Sequence, residues 1–391
     1  MREETTVEEK PYLSGLKVLD LSRLLPGPFC TLLLADMGAE VIKVEDPRGG
    51  DYARYYPPHV GDVGAFFGAL NRNKRSITLN LKHERGVELL GRLAKSADVV
   101  IESFRPGVMD RLGVGYEALK ARNPALVYCA ISGYGADGTM QDRAGHDLNY
   151  MARCGLLDLN GRPDQKPVVA GFQLADIAGG ALYAALGIVS ALYRREQTGT
   201  GGFLDISMTE GALSFALPSL ATLGVGQAVV RGEGMLGGGI PSYDVYETAD
   251  GRYLSVAPLE PKFWTAFVEV IGMPGLVADG LATGEAGELA KQKVAEILRQ
   301  KSLVEWVEIF GAVDVCVEPV STIEEVLEDE LFKARKIFFE LGGIQQARTP
   351  LTPRTLEHTP APALGEHTDD VLMALGLSEL DIAELRSGGI L

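Results

Sequence analysis

Apolar and polar positions alternate in blocks along the first half of the chain, and the blocks change period as they go. "LKVLDLS" (16–22) is a short apolar run of the kind that fills a strand buried on both faces. "PGPFCTLLLADMG" (26–38) opens with prolines, which a first helical turn tolerates, and closes on Gly38, a plausible C′ residue. "AEVIKVED" (39–46) predicts a second strand. "HERGVELLGRLAK" carries apolar residues at helical spacing and leads into the strand "DVVIES" (98–103). A further helix precedes "ALVYCAIS" (125–132), which ends in the glycine-rich turn "GYGADG". "DIAGGALYAALGIVSALYRR" (176–195) predicts a helix with one face of small residues, and "GFLDISMTEGALSFAL" one more strand and helix. Strands alternating with helices predict an α/β fold with a parallel sheet and right-handed crossovers.

After Leu223 the texture changes. A glycine-rich stretch leads into a hairpin pattern with "ADG" as its turn, and residues 260–325 are mostly helical in pattern. The expected division is a large domain over 1–222, a small α+β domain over 223–325, and a return to the large domain over 326–391. That last segment, with Pro350, Pro353, Pro360 and Pro362, reads as extended chain over the surface before a short terminal helix. Residues 1–11 read as a disordered tail and not as a signal peptide. No apolar run reads as long enough to span a membrane.

Charge narrows the function. With 391 residues and a net charge of −16, the chain is unsuited to nucleic acid or an anionic membrane surface, and the expected location is cytoplasmic. The cysteines Cys30, Cys129, Cys154 and Cys316 lie far apart, without metal-ligand spacing, and read as thiols in a reducing compartment. No metal or separate cofactor is expected. The first strand-turn-helix invites a dinucleotide reading, and Glu45 ends the second strand where a ribose-binding acid would sit. The turn is "SRLLPGP", however, and Pro26 and Pro28 have no N–H to offer a pyrophosphate.

Two basic features stand out in this acidic chain. Residues 70–82, "LNRNKRSITLNLK", carry Arg72, Lys74, Arg75 and Lys82, and Arg105 follows the "DVVIES" strand. Ligands of open α/β sheets bind at the carboxyl ends of strands, so these cations predict a phosphate-bearing ligand. As single residues they read equally well as a solvated charge run.

In order along the chain, "LKVLDLSRLLPGPFCTLLLADMGAEVIKVEDP", "NRNKRSI", "ESFRPGVMDRLG", "SGYGADG", "AGHDLNY", "ADIAGGALYAALGI" and "GEHTDDVL" resemble the class III CoA-transferase superfamily. That superfamily holds formyl-CoA and carnitine CoA-transferases and the α-methylacyl-CoA racemases, and the resemblance is strongest to the racemase branch. It implies a Rossmann-like large domain, a small domain, and two chains interlocked as a homodimer. It also implies an acyl-CoA substrate, in lipid metabolism, with Lys43, Arg72, Lys74, Arg75, Arg105, Gly133, Tyr134 and Gly135 as CoA contacts.

Catalysis is implied at Asp176, His146 and Glu260. In the transferases the aspartate attacks the thioester, giving an anhydride and then an aspartyl thioester. In the racemases it is one of two groups flanking the α-carbon; His146 matches the other, and Glu260 matches a glutamate that orients that histidine. Backbone N–H groups near Asp176 are expected to hold it ionised and to face the enolate oxygen. Read from the residues alone, Asp176 is equally a helix cap, His146 a turn residue after Gly145, and Glu260 a cap ahead of Pro261. Three functions follow in order: racemase or epimerase of 2-methylacyl-CoA, CoA-transferase, and non-enzymatic acyl-CoA-binding protein.

Overall fold

The computed structural model describes residues 10–391, so most of the expected tail, residues 1–9, lies outside the described residues. Pro11 is part of the fold: its carbonyl accepts the Ser14 N–H at 3.0 Å. The chain forms two compact units. One comprises the chain through Cys154, Phe172–Ser214 and Ala334–Leu391; the other comprises Gly155–Gly171 and Phe215–Lys333. The borders therefore fall at 214 and 333 where the sequence reading put 222 and 325. Gly155–Gly171 belongs to the second unit because of side-chain pairs that periodicity cannot show, Arg162 with Asp244 at 3.0 Å and Arg231 with Asp158 at 3.0 Å.

Six parallel strands organise the first unit: β1 Lys17–Asp20, β2 Glu40–Glu45, β3 Lys74–Thr78, β4 Val99–Glu102, β5 Val127–Ser132 and β6 Gly202–Ser207. Their order across the sheet is β3-β2-β1-β4-β5-β6. The chain leaves β1 toward one edge and returns beside it with β4, so the loops after β1 and β4 diverge at that point. Such a divergence opens a crevice at the carboxyl ends of the strands. Val99, Val100 and Ile101 are fully buried, as the continuous apolar run required.

Helix α1, Pro26–Asp36, is buried nearly all round. It ends at Gly38, whose φ of +94° takes the left-handed region that favours glycine. The small-residue helix, α2, runs as a π-helix over Ala175–Leu182 and as an α-helix over Tyr183–Thr198. Its small face meets a short helix, α3, Met208–Leu213. A Cβ on Gly179 would stand 2.7 Å from the Ala212 nitrogen and from the Met208 carbonyl oxygen, so the helices approach at backbone distance. The joined α2 helix spans 24 residues, and its most apolar 18-residue window has a mean hydropathy of 1.6, long and apolar enough to cross a membrane. This corrects the reading that no run reaches that length. Half of that window is buried in the protein.

The C-terminal segment is more than a surface strap. It contains a hairpin, Phe338–Leu341 with Ile344–Ala347, and two helices, Thr368–Ala374 and Glu379–Ser387, where one was expected. It is sewn to the sheet edge: Pro362 O accepts from Arg54 at 3.0 Å and Ile390 O accepts the Asn80 N–H at 2.8 Å. In the second unit, Asp244–Glu247 and Tyr253–Val256 form the expected hairpin, and Val317–Pro319 adds a third strand. Its core gathers Trp264, Phe267, Trp306 and Phe310 from the helices.

Candidate active site

The loops after β1, β4 and β5 enclose a cavity of about 660 Å³ in the first unit. Arg23 and Leu24 come from the first loop, Ser103–Pro106 from the second, and Ser132 and Gly133 from the third. The segment carrying Arg143, Gly145 and His146 and the start of α2 with Asp176 complete the wall. His146 and Asp176, 30 positions apart in sequence, thus line one cavity.

Each is set there by local structure. His146 is the N-cap of a helix over Asp147–Arg153, and its own N–H donates to Asn149 Oδ1 at 3.0 Å. The Tyr150 hydroxyl donates to Gly145 O at 2.6 Å, fixing the turn before the histidine. Asp176 is not the N-cap of α2; Leu174 holds that position. The carboxyl sits inside the first turn of a π-helical stretch, a distortion frequent at functional sites.

The Asp176 N–H donates to Asp147 Oδ1 at 2.9 Å. That amide is therefore not free to face an enolate oxygen, and it does not hold Asp176 ionised. Burial, followed by the nearby Asp147 charge, instead raises the Asp176 pKa to about 7. The expectation that the helix start keeps Asp176 ionised is corrected.

Glu260 lies in the second unit, exposed, as the N-cap of the helix Pro261–Val270. Its side chain makes no cap hydrogen bond, so capping does not account for the carboxylate.

The expected phosphate cations separate into two groups. Lys43, Arg72 and Lys74 are 0–3% exposed, and carboxylates already engage them. Lys43 Nζ lies 3.1 Å from Asp51, Arg72 Nη2 2.6 Å from Asp36, and Lys74 Nζ 3.3 Å from Asp20. Burial opposes the charges of Asp20, Lys43 and Lys74, but the two lysines still hold Asp20 down to about 2. Burial lowers Lys74 to about 8. The reading of these three as ligand contacts is corrected: they are the ionic core beneath the sheet edge. Glu45 is likewise internal, bonded to Arg54 at 2.7 Å. Arg75 is one-third exposed and pairs with Glu40 at 3.1 Å.

Arg105 and Gly133 do reach the cavity wall. Tyr134 packs edge-on against Tyr150, and the Gly135 N–H donates to Ser132 Oγ at 2.9 Å, so that donor is taken. Two guanidiniums the sequence did not single out, Arg23 and Arg143, line the same cavity. Arg23 lies between the Phe104 and Tyr52 rings, 5.2 and 5.5 Å from their centroids. It also borders an apolar slot of about 170 Å³ walled by Leu79, Leu81, Phe104 and Val108, whose lining includes Lys82, Glu45 and Asp46. Arg23 stands in the one turn whose prolines drew attention to what was missing, and no spacing rule distinguishes it.

The arrangement offers three positive side chains, an imidazole and a near-neutral carboxyl around one cavity. Comparison with known proteins agrees with the order of motifs. Residues 13–368 match the family described as "CoA-transferase family III". The human alpha-methylacyl-CoA racemase is 39% identical over 388 residues, covering 97% of each chain. The acetyl-CoA:oxalate CoA-transferase of Acetobacter aceti is 35% identical, covering 90% of this chain and 91% of its own. A crystal structure of a CAIB/BAIF family protein from Brucella suis superposes with a TM-score of 0.82 at 33% identity, covering 94% of this chain and all of that one. The chain belongs to CoA-transferase family III.

Proposed function

We propose that the protein epimerises 2-methylacyl-CoA thioesters. One observation carries this reading: His146 and Asp176 line the same cavity, and Asp176 has a pKa near 7. A group with a pKa close to the working pH serves as base in one direction and acid in the other. In one direction the Asp176 carboxylate removes the α-proton, the electron pair passes into the thioester as an enolate, and His146 in its imidazolium form returns a proton to the opposite face. In the other direction His146 is the base and the Asp176 carboxyl the acid. Each turnover exchanges their protonation states, and solvent resets them.

The ligand is read from the cavity's charge. Arg23, Arg105 and Arg143 give it a positive wall in an acidic protein, suited to the phosphates of CoA. The slot beside Arg23 has apolar walls suited to a purine ring, with Arg23 and Lys82 in a lining that also holds Glu45 and Asp46. The strand order β3-β2-β1-β4-β5-β6 supports a Rossmann-like description of the sheet and a ligand at its divergence point.

A homodimer is part of the proposal. Leu182, Leu186, Val189 and Tyr193 form an exposed apolar stripe along α2, 38–70% accessible. Such stripes mark surfaces that another chain covers.

The transferase reading is supported by the similarity to the acetyl-CoA:oxalate CoA-transferase and by Asp176 itself, which serves either chemistry. There the carboxylate attacks the thioester carbonyl and CoA departs as the thiolate. Incubation with (2R)-2-methylacyl-CoA in D₂O separates the two. The proposal predicts α-deuterium in the (2S) product without CoA exchange into added carboxylates. CoA exchange without deuterium would overturn it.

A further inference from the structure

Glu102, the last residue of β4, is a buried carboxyl that the proposed chemistry does not use. Its Oε2 accepts the Phe104 N–H at 2.6 Å, and the Tyr128 hydroxyl lies beside the carboxyl. The titratable groups that face it are Asp110 from the following helix, Tyr128 and Cys129 from β5, and Asp205 from β6. None is a cation, and among the described residues no ion pair includes Glu102. A buried anion without a partner is costly, whereas a neutral carboxyl that accepts one N–H and meets one hydroxyl is satisfied.

The consequence lies two residues on. Glu102 tethers the turn Ser103–Pro106, which supplies Phe104 and Arg105 to the cavity wall. The Phe104 ring in turn supports the Arg23 guanidinium. We propose that Glu102 is a positioning residue: its carboxyl fixes the Ser103–Pro106 turn, and a negative charge on it weakens binding of the anionic ligand in the cavity. The proposal rests on the reading of that ligand as an acyl-CoA. Loss of the proton to solvent leaves one negative charge on the tether of the turn that carries Arg105. Burial, with Asp110 and Asp205 nearby, raises the Glu102 pKa to about 8, so the change falls within reach of experiment.

The sign for stability follows from the same shift. The folded-state pKa lies above the ordinary 4.5. The neutral carboxyl's contribution is full below about pH 4.5 and is lost as pH rises to about 8.

The test is calorimetric titration of the wild type and Glu102→Gln with CoA between pH 7 and 9. The amide keeps an acceptor for the Phe104 N–H and cannot ionise. The expected result is equal affinity within about twofold at pH 7, with the wild type about tenfold weaker by pH 9 and the variant nearly unchanged. Parallel profiles, or a variant already tenfold weaker at pH 7, would overturn the proposal. Failure of both proteins to bind CoA at pH 7 would instead sink the acyl-CoA reading, and thermal melts then decide the role of Glu102. A wild type that loses melting temperature relative to the variant between pH 5 and 8 supports the tether; parallel melts overturn it.

Discussion

Asp147 sits beside His146 in sequence and beside Asp176 in space, and it acts on the second through both a hydrogen bond and a charge. Burial is the larger cause of the raised Asp176 pKa, so removing the Asp147 charge lowers it only in part. Asp147→Asn therefore moves the acid limb of kcat/KM, for the enantiomer that needs Asp176 as base, about one unit toward lower pH. pH profiles for both enantiomers check this, and an unmoved limb contradicts it. His146 and Asp176 stood out in the sequence because each sits in a motif of distinctive order, and both line one cavity. Arg72 and Lys74 misled because a run of cations looks the same whether it faces water or buried carboxylates, and Lys43, implied by the resemblance alone, is likewise paired with Asp51. Those partners come from other elements, and only folding reveals the pairing. Arg23 was overlooked for the converse reason: its meaning depends on Tyr52 and Phe104, which are far away in the chain.

The strands and helices of the first unit follow the apolar blocks closely, since a doubly covered parallel sheet demands continuous apolar runs. What periodicity could not show is how elements touch. The glycines of α2 read as room for a helix or a ligand; they meet α3, where Gly211 faces Gly179. Gly211→Ala drives a methyl into the Gly179 backbone, and about 1–3 kcal/mol of destabilisation is expected in thermal or urea unfolding. A variant as stable as the wild type contradicts so close a contact. The ionic core makes a second prediction. Arg72→Ala leaves Asp36 buried with its charge uncompensated and costs about 3–5 kcal/mol. Arg105→Ala, at the cavity wall, leaves unfolding nearly unchanged and weakens CoA binding. Reversal of these two outcomes would return Arg72 to the ligand and remove Arg105 from it.

At the scale of the molecule, sequence texture marked a second unit but not its membership. Gly155–Gly171 joins it through ion pairs, and the C-terminal segment joins the first unit through backbone hydrogen bonds to the sheet edge. The apolar stripe on α2 was hidden for a similar reason, since a helix packed on one face by small residues and on the other by large ones has no polar side to read. Leu186→Glu on that stripe is expected to lower the sedimentation coefficient from dimer to monomer, while a wild type that already sediments as a monomer contradicts the dimer. The central claim concerns two proton-transfer groups on one α-carbon, and deuterium reports on it directly. Wild type and His146→Ala are incubated with 2-methylacyl-CoA in D₂O, and α-deuterium in the recovered thioester is counted by mass spectrometry. The account predicts full exchange with inversion in the wild type, and racemisation slowed about 10²–10⁴-fold in the variant. Undiminished racemisation without His146, or CoA exchange with no deuterium in the wild type, would contradict it.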